Sequence, residues 1–330
     1  MAMGEFDLIK RYFSQSQFQT DDSVQLSIGD DCALVSVPEG YQLAITTDTM
    51  VENTHFLPTI SAADLAYKAV ATNLSDLAAM GAVPKWISLA LTLPKIDKYW
   101  IADFSRSLLQ ILKNYNVTLI GGDTTKGALS ITITAQGLIE KGRALCRHQA
   151  KVGDLIYVSG TLGDSSAGLQ MLLSGKSAVN SDDEFLQQRH FRPIPRITLG
   201  RALMGIANAA IDISDGLISD LGHILNRSQC SAEIELSALP LSSALLSHHN
   251  RTQAELLALS GGEDYELCFT VSAENQAKFE ERLKYLDVPC TCIGRTVAAK
   301  CGRFSLHFLR EGEEVELAPL SGFDHFREEK

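Results

Sequence analysis

A run of twenty-one residues, Ser61 to Gly81 (SAADLAYKAVATNLSDLAAMG), constrains this chain more than any other segment. Ser61 offers an N-cap, apolar residues recur at helical spacing, Gly81 supplies a stop and Pro84 follows it, so the spacing predicts a helix over 61–81. Within it Asn73, Asp76 and Met80 share one face that is otherwise apolar. A carboxylate buried by such a face needs a hydrogen-bonding partner or a cation. The rest of the fold must therefore bring one of these to the middle of this helix.

The segments around it alternate between two periodicities. Strands are predicted at Tyr41 to Thr47, Trp86 to Leu93, Val117 to Ile120 and Leu129 to Gly137, with a second helix at Tyr99 to Tyr115. A basic, loop-like crossing, KGRALCRHQAKVG, occupies Lys141 to Gly153. A further series then begins: a strand at Leu155 to Ser159, a helix opened by TLGDSSAGL, a strand at Ala209 to Ile213, a helix from Leu217, a strand at Tyr265 to Val271 and a helix through Glu274 to Leu286. Length makes two cores comfortable, since 330 residues exceed what one usually serves. The expected organisation is α/β (α+β) in two domains, 1–148 and 149–330, with the boundary falling near 145–152.

The acidic residues with the most to say sit beside glycine or hydroxyls: IGDDC (Asp30, Asp31), TTDT (Asp48), GGDTT (Asp123), DISDG (Asp212, Asp215) and GGEDYE (Glu263, Asp264). Asp48, Asp123 and the Asp212/Asp215 pair each close a predicted strand, and α/β sheets gather ligands outside the carboxyl ends of their strands. Any one of these motifs alone is ordinary turn chemistry. Asp76 is not, because it lies in a helix. Few lysines or arginines stand near them, and the donors are carboxylates with hydroxyls from Thr46, Thr47, Thr49, Thr124, Thr125 and Ser214 rather than histidine or cysteine. That set suits Mg²⁺ shared with phosphates.

Other readings of the chain are poorer. A formal charge of -11 opposes binding to nucleic acid, and seven scattered cysteines without paired spacing point to a reduced, cytoplasmic setting. No secretory leader or membrane-spanning apolar run is expected. Gly175-Lys176-Ser177 resembles the end of a P-loop, but the earlier glycine, Gly168, is at the wrong distance, and DISDGLISD lacks the alternating acids of a calcium loop.

Taken in order, GDDCA, TTDTMVENTHF, NLSDLAAMGA, LIGGDTT, GDLIYVSGTLGDSSAGL, DISDGLISDLGHI and GGEDYEL resemble the bacterial thiamine-monophosphate kinase family. That family shares a superfamily with aminoimidazole ribonucleotide synthetase, selenophosphate synthetase and a hydrogenase maturation factor. The resemblance runs over essentially the whole chain. It implies an aminoimidazole ribonucleotide synthetase-like fold, whose N-terminal mixed sheet with helices binds ATP and metal and forms a homodimer, followed by a C-terminal α/β domain. It implies phosphoryl transfer from ATP to thiamine monophosphate, with no covalent or general-base residue. Asp31, Thr46, Thr47, Asp48, Asp76, Asp123, Asp212 and Asp215 would hold several Mg²⁺ ions. Asp30, Gly122, Asp123, Arg147 and Ser214 would lie around the nucleotide, and His55, Glu263 and Phe323 would face thiamine phosphate. The reactive cysteines of two sibling families have no counterpart in MAMGEFDLIKRYF or the terminal REEK. Another ATP-using member of the superfamily and a metal-dependent phosphohydrolase are the alternatives.

Overall fold

The computed structural model describes residues 4–14, 22–300 and 304–317. Two compact units emerge, one formed by residues 1–77 and 82–142, the other by 78–81 and 143–330.

The first unit begins with a helical turn, α1 (Glu5–Leu8), running into a π-helical turn (Ile9–Phe13), and an antiparallel ribbon of β1 (Val24–Leu26) and β2 (Leu34–Val35). It continues with β3 (Tyr41–Val51), α2 (Ala62–Ala79), β4 (Val83–Leu93), α3 (Lys98–Asn114), β5 (Thr118–Lys126) and β6 (Ser130–Glu140). The sheet order is β3-β6-β4-β5. It is mixed: β6 runs antiparallel to β3 and β4, while β4 and β5 are parallel and need the crossover that α3 supplies. The Ser61 hydroxyl accepts the Asp64 N–H at 3.0 Å, capping α2, and Asp97 caps α3 by accepting from Tyr99 and Trp100. Buried Leu65, Val70 and Leu74 of α2 and Ile101, Phe104 and Leu108 of α3 belong to this unit's core.

Of the expected strand boundaries that move, two carry site residues. Strand β3 extends past Thr47 to Val51, and β5 extends past Ile120 to Lys126. Asp48 and Asp123 therefore lie inside strands instead of closing them. The physical reason for β3 is its pairing: Thr47 and Thr49 on its exposed face hydrogen-bond the hydroxyls of Thr134 and Thr132 at 2.9 and 2.8 Å, cross-strand pairs that offset the weak strand preference of aspartate.

The second unit carries β7 (Leu155–Ser159), α4 (Asp164–Leu173), α5 (Ser181–Phe191), α6 (Ile197–Leu203), β8 (Ala207–Asp212), α7 (Leu217–Ser228), β9 (Cys230–Glu235), α8 (Ser243–His248), α9 (Arg251–Ser260), β10 (Leu267–Val271), α10 (Gln276–Leu283), β11 (Cys290–Ala298), β12 (Leu306–Arg310) and β13 (Glu313–Val315). Its sheet order is β13-β12-β9-β11-β7-β10-β8. The central strands are buried on both faces, so they read as nearly continuous apolar runs. Ile156, Val158 and Cys268 enter one core with Leu217 and Leu221 of α7, while Tyr157, Leu267 and Phe269 enter another with Leu199, Leu203 and Phe279. Gly175 ends α4 with a positive φ of 69°, so the GKS triplet is a helix terminator.

Candidate functional site

In the first unit a cavity of about 950 Å³ is lined by Lys10, Asp30, Asp31, Gly122, Asp123 and Thr124, among others. The Asp31 N–H donates to Asp30 Oδ1 at 2.9 Å, folding the IGDDC segment on itself. Gly122 makes the cavity wall possible. Its φ is +153°, and a Cβ there would fall 1.8 Å from the Leu89 carbonyl oxygen of the neighbouring strand. The wall thus offers bare backbone beside three carboxylates, a surface on which a phosphate chain with its counter-ions can lie close.

Beside β3, the helix α2 carboxylate has found its partner: the Thr46 hydroxyl donates to Asp76 Oδ2. The Asn73 side chain joins helix to strand, accepting the Asp48 N–H at 3.2 Å and donating to the Ala69 carbonyl at 3.0 Å. Strand alternation puts Thr46 and Asp48 on the half-buried face toward these residues and Thr47 on the opposite, exposed face. In the turn after β3, His55 Nδ1 accepts the Val51 N–H at 3.1 Å. An accepting Nδ1 in the neutral ring places the proton on Nε2, making that nitrogen a donor.

In the second unit the DISDG and GGEDYE segments are bound to each other. Beyond the paired Asp212 and Leu267, the Ile213 N–H donates to the Glu266 carbonyl at 2.8 Å, Tyr265 N–H to Ile213 O at 2.8 Å and Glu263 N–H to Ser214 O at 2.7 Å. Asp212, Ser214, Asp215 and Glu263 are thereby held on two adjoining turns. Gly262 permits this approach, since a Cβ there would lie 2.6 Å from the Ser214 oxygen. Asp220, in the first turn of α7, reaches back so that its Oδ2 accepts the N–H groups of both Ser214 and Asp215 at 3.0 Å. Burial pushes the Asp220 carboxyl up to about 7 against these two bonds. Exposed Arg147 lies in the same unit, close enough for its charge to favour the Asp220 carboxylate, and its carbonyl accepts from Ser228 Oγ at 2.8 Å. Phe323 lies outside the described residues.

The GGEDYE turn has a buried foundation that sequence reasoning did not identify. Glu263 and Tyr265 both adopt positive φ, 66° and 50°, which non-glycine residues keep only where surroundings enforce it. The Asp264 carboxylate accepts the Gly163 N–H at 2.7 Å and the Ser165 N–H at 3.2 Å at the start of α4. Burial pushes its carboxyl up to about 7, opposed by the Arg189 charge and these bonds. Glu266 is fully buried between Arg189 and Arg196. Burial alone would raise its carboxyl; the hydrogen bond from Arg196 and the two guanidinium charges outweigh this and hold it below its ordinary range. Arg189, Arg196 and His190 carried no local signal, being basic residues whose acidic partners lie some seventy positions away. Asp220 did have one, as the last acid of DISDGLISD.

Among the described residues, no group of three or more His, Cys, Asp or Glu side chains stands placed to hold a metal ion. The donor chemistry nonetheless fits Mg²⁺, which is ordinarily held by one or two carboxylates and completes its shell with water and substrate phosphate. Asp30, Asp31 and Asp123 around one cavity, and Asp212 with Asp215 on one turn, are such donors. No helix among the described residues is long and apolar enough to cross a membrane.

Comparison with known proteins places the chain in a family. The family described as AIR synthase related protein, N-terminal domain, matches residues 29–139, and its C-terminal domain matches residues 151–307. The thiamine-monophosphate kinase of Haemophilus influenzae is 74% identical over 330 residues, covering 100% of both chains. A crystal structure of thiamine-monophosphate kinase from Stenotrophomonas maltophilia superposes with a TM-score of 0.86 at 41% identity, covering 96% of this chain and 99% of that one. AaThiL complexed with AMPPCP and TMP superposes with a TM-score of 0.76 at 34% identity, covering 98% of this chain and 97% of that one. A two-domain AIR synthase-related fold, the ordered motifs and identity over the full length converge: the chain belongs to the AIR synthase-related family and, within it, to the thiamine-monophosphate kinases.

Proposed function

We propose that this chain transfers the γ-phosphoryl group of ATP directly to the phosphate of thiamine monophosphate, giving thiamine diphosphate and ADP. What supports the reading, beside the kinase relatives, is the junction of DISDG with GGEDYE, which holds the proposed metal ligands Asp212 and Asp215 on a turn adjoining that of the proposed substrate contact Glu263. An oxygen of the acceptor phosphate forms the new bond to the γ-phosphorus while the bond from that phosphorus to the bridging β-oxygen breaks, and the electron pair leaves on ADP. The acceptor is already anionic at neutral pH, so no strong base is required; the barrier lies in bringing two anions into line.

The residues divide this task. Asp30, Gly122, Asp123, Arg147 and Ser214 would bind the nucleotide or its counter-ions, and His55, Glu263 and Phe323 would orient thiamine monophosphate. Asp31, Thr46, Thr47, Asp48, Asp76, Asp123, Asp212 and Asp215 are the proposed ligands of several Mg²⁺ ions. Bound Mg²⁺ would neutralise charge on the donor and acceptor phosphates. The expected setting is the cytoplasm, with residues 1–148 serving ATP, metal and dimerisation and 149–330 forming the second domain.

A homodimer belongs to the same proposal. On β3, Leu43 and Ile45 stand 38% and 62% exposed, in line with the hydroxyls of Thr47 and Thr49. This face suits a second copy better than water. A monodisperse monomer with full activity at micromolar concentration would refute it. The activity itself is tested by incubating the protein with ATP and Mg²⁺, with and without thiamine monophosphate, and separating the products. ADP formation should require the thiamine substrate; equal ADP in its absence would indicate a phosphohydrolase.

A further inference from the structure

The strained GGEDYE turn points its first acid at a buried histidine. His190, in α5, is 4% exposed by its side chain, and its Nδ1 lies 3.3 Å from Glu263 Oε2 and 3.2 Å from Ser165 Oγ. Glu263 keeps 25% of its side chain exposed, so one edge of its carboxylate meets the protein interior while the rest faces outward. A carboxylate beside Nδ1 selects the tautomer, or the charged ring, with hydrogen on that nitrogen, because a lone pair there would repel it. Ser165 belongs to the same support: its N–H is held by Asp264, the next residue of the turn.

We infer that His190 is a positioning residue for thiamine monophosphate, acting through Glu263 by holding one carboxylate oxygen and so fixing the other for the substrate. The inference rests on the proposed substrate contact of Glu263 and names the residue that makes that contact specific. Glu263 stands on a left-handed backbone without the freedom of glycine, and its long side chain has several rotamers to lose. A donor fixed on the buried face of a helix removes that freedom before substrate arrives, which strengthens binding without any new substrate contact. The residues proposed for ATP are others, so its binding should be indifferent to His190.

The test uses the full-length protein with ATP, Mg²⁺ and thiamine monophosphate, and compares four variants. His190→Phe keeps a ring but loses the donor, His190→Asn keeps a donor near Nδ1, His190→Gln displaces it, and Glu263→Gln removes the carboxylate. Losing a hydrogen bond to a charged group should raise the KM for thiamine monophosphate about tenfold in His190→Phe, leaving kcat and the KM for ATP within about twofold. His190→Asn should lie closer to the parent than His190→Gln, a comparison that stands even if the Phe variant does not fold. Adding His190→Phe to Glu263→Gln should cost nothing further, since the two act as one unit. Additive effects, equal rises in both KM values, or identical Asn and Gln variants would overturn the role of His190. An unchanged KM for thiamine monophosphate in Glu263→Gln would overturn the substrate contact itself, and the inference with it.

Discussion

Replacing Glu266 by glutamine removes one charge from the most deeply buried ionic cluster beneath the site. Its Oε1 accepts from Arg189 Nη2 at 2.9 Å and from Arg196 Nη2, and its Oε2 accepts from Arg196 Nε at 2.6 Å and Ser159 Oγ at 2.5 Å. The side chain is fully buried and those of Arg189 and Arg196 are 8% and 16% exposed. Glutamine preserves the volume but leaves Arg196, largely without water, without its Glu266 anion, and leaves Arg189 to the more distant Asp164, 3.8 Å from its Nε. Breaking a buried pair in this way costs about 3–5 kcal/mol. For a unit of this size each kcal/mol lowers Tm by about 2–4 °C, so the second unit should melt roughly 6–20 °C lower. Calorimetry at pH 7.5, or about that value, reads the shift directly. Because Glu263 lies three residues upstream on the same turn, surviving folded protein should also show a raised KM for thiamine monophosphate. A variant that melts within about 2 °C of the parent would refute the claim that this cluster anchors the turn.

Four further outcomes are expected. Gly122→Ala should abolish folding of the first unit or cost more than about 4 kcal/mol, because a Cβ would meet the Leu89 oxygen at 1.8 Å; soluble protein with parental Tm would contradict this. Asp76→Asn and Asp48→Asn should leave thermal stability without metal unchanged or slightly raised while turnover collapses and its Mg²⁺ requirement rises; near-parental turnover at ordinary Mg²⁺ would remove either residue from the ligand set. Asp264, raised from 3.8 to about 7 by burial, binds its proton more tightly folded than unfolded, so its contribution to stability is full below its unfolded value and is lost as pH climbs toward 7. Urea titrations across that range should show the decline in the parent and a flatter profile in Asp264→Asn. His55→Ala should raise the KM for thiamine monophosphate far more than that for ATP, whereas equal effects would show that the ring only closes its turn on Val51.

Much of the second unit's centre was legible because its signals are local. Leu155 to Ser159 is a short apolar run bounded by Asp154 and Gly160, and Asp212 does close its strand. The α2 helix was legible from its cap, and its carboxylate on an apolar face, Asp76, read from the sequence as a metal ligand, accepts from the Thr46 hydroxyl. Asp48 and Asp123 were misplaced because polar residues in the middle of a strand resemble a strand end until the partner strand is known. The strands β9, β11, β12 and β13, which fill one side of the seven-stranded sheet, were missed for a related reason: segments such as CSAEIE and CTCIGRTVA mix small, charged and β-branched residues, and only pairing to a neighbour makes them strands. His190, Arg189 and Arg196 belong to contacts that no window along the chain can contain.

The central claim is a direct transfer between two phosphates with no phosphorylated enzyme between them, and the stereochemistry at the migrating phosphorus tests it most directly. ATP made chiral at the γ-phosphorus with oxygen isotopes and sulfur should yield thiamine diphosphate of inverted configuration, the outcome of one in-line displacement. Retention would require two displacements through a covalent intermediate and would contradict the account.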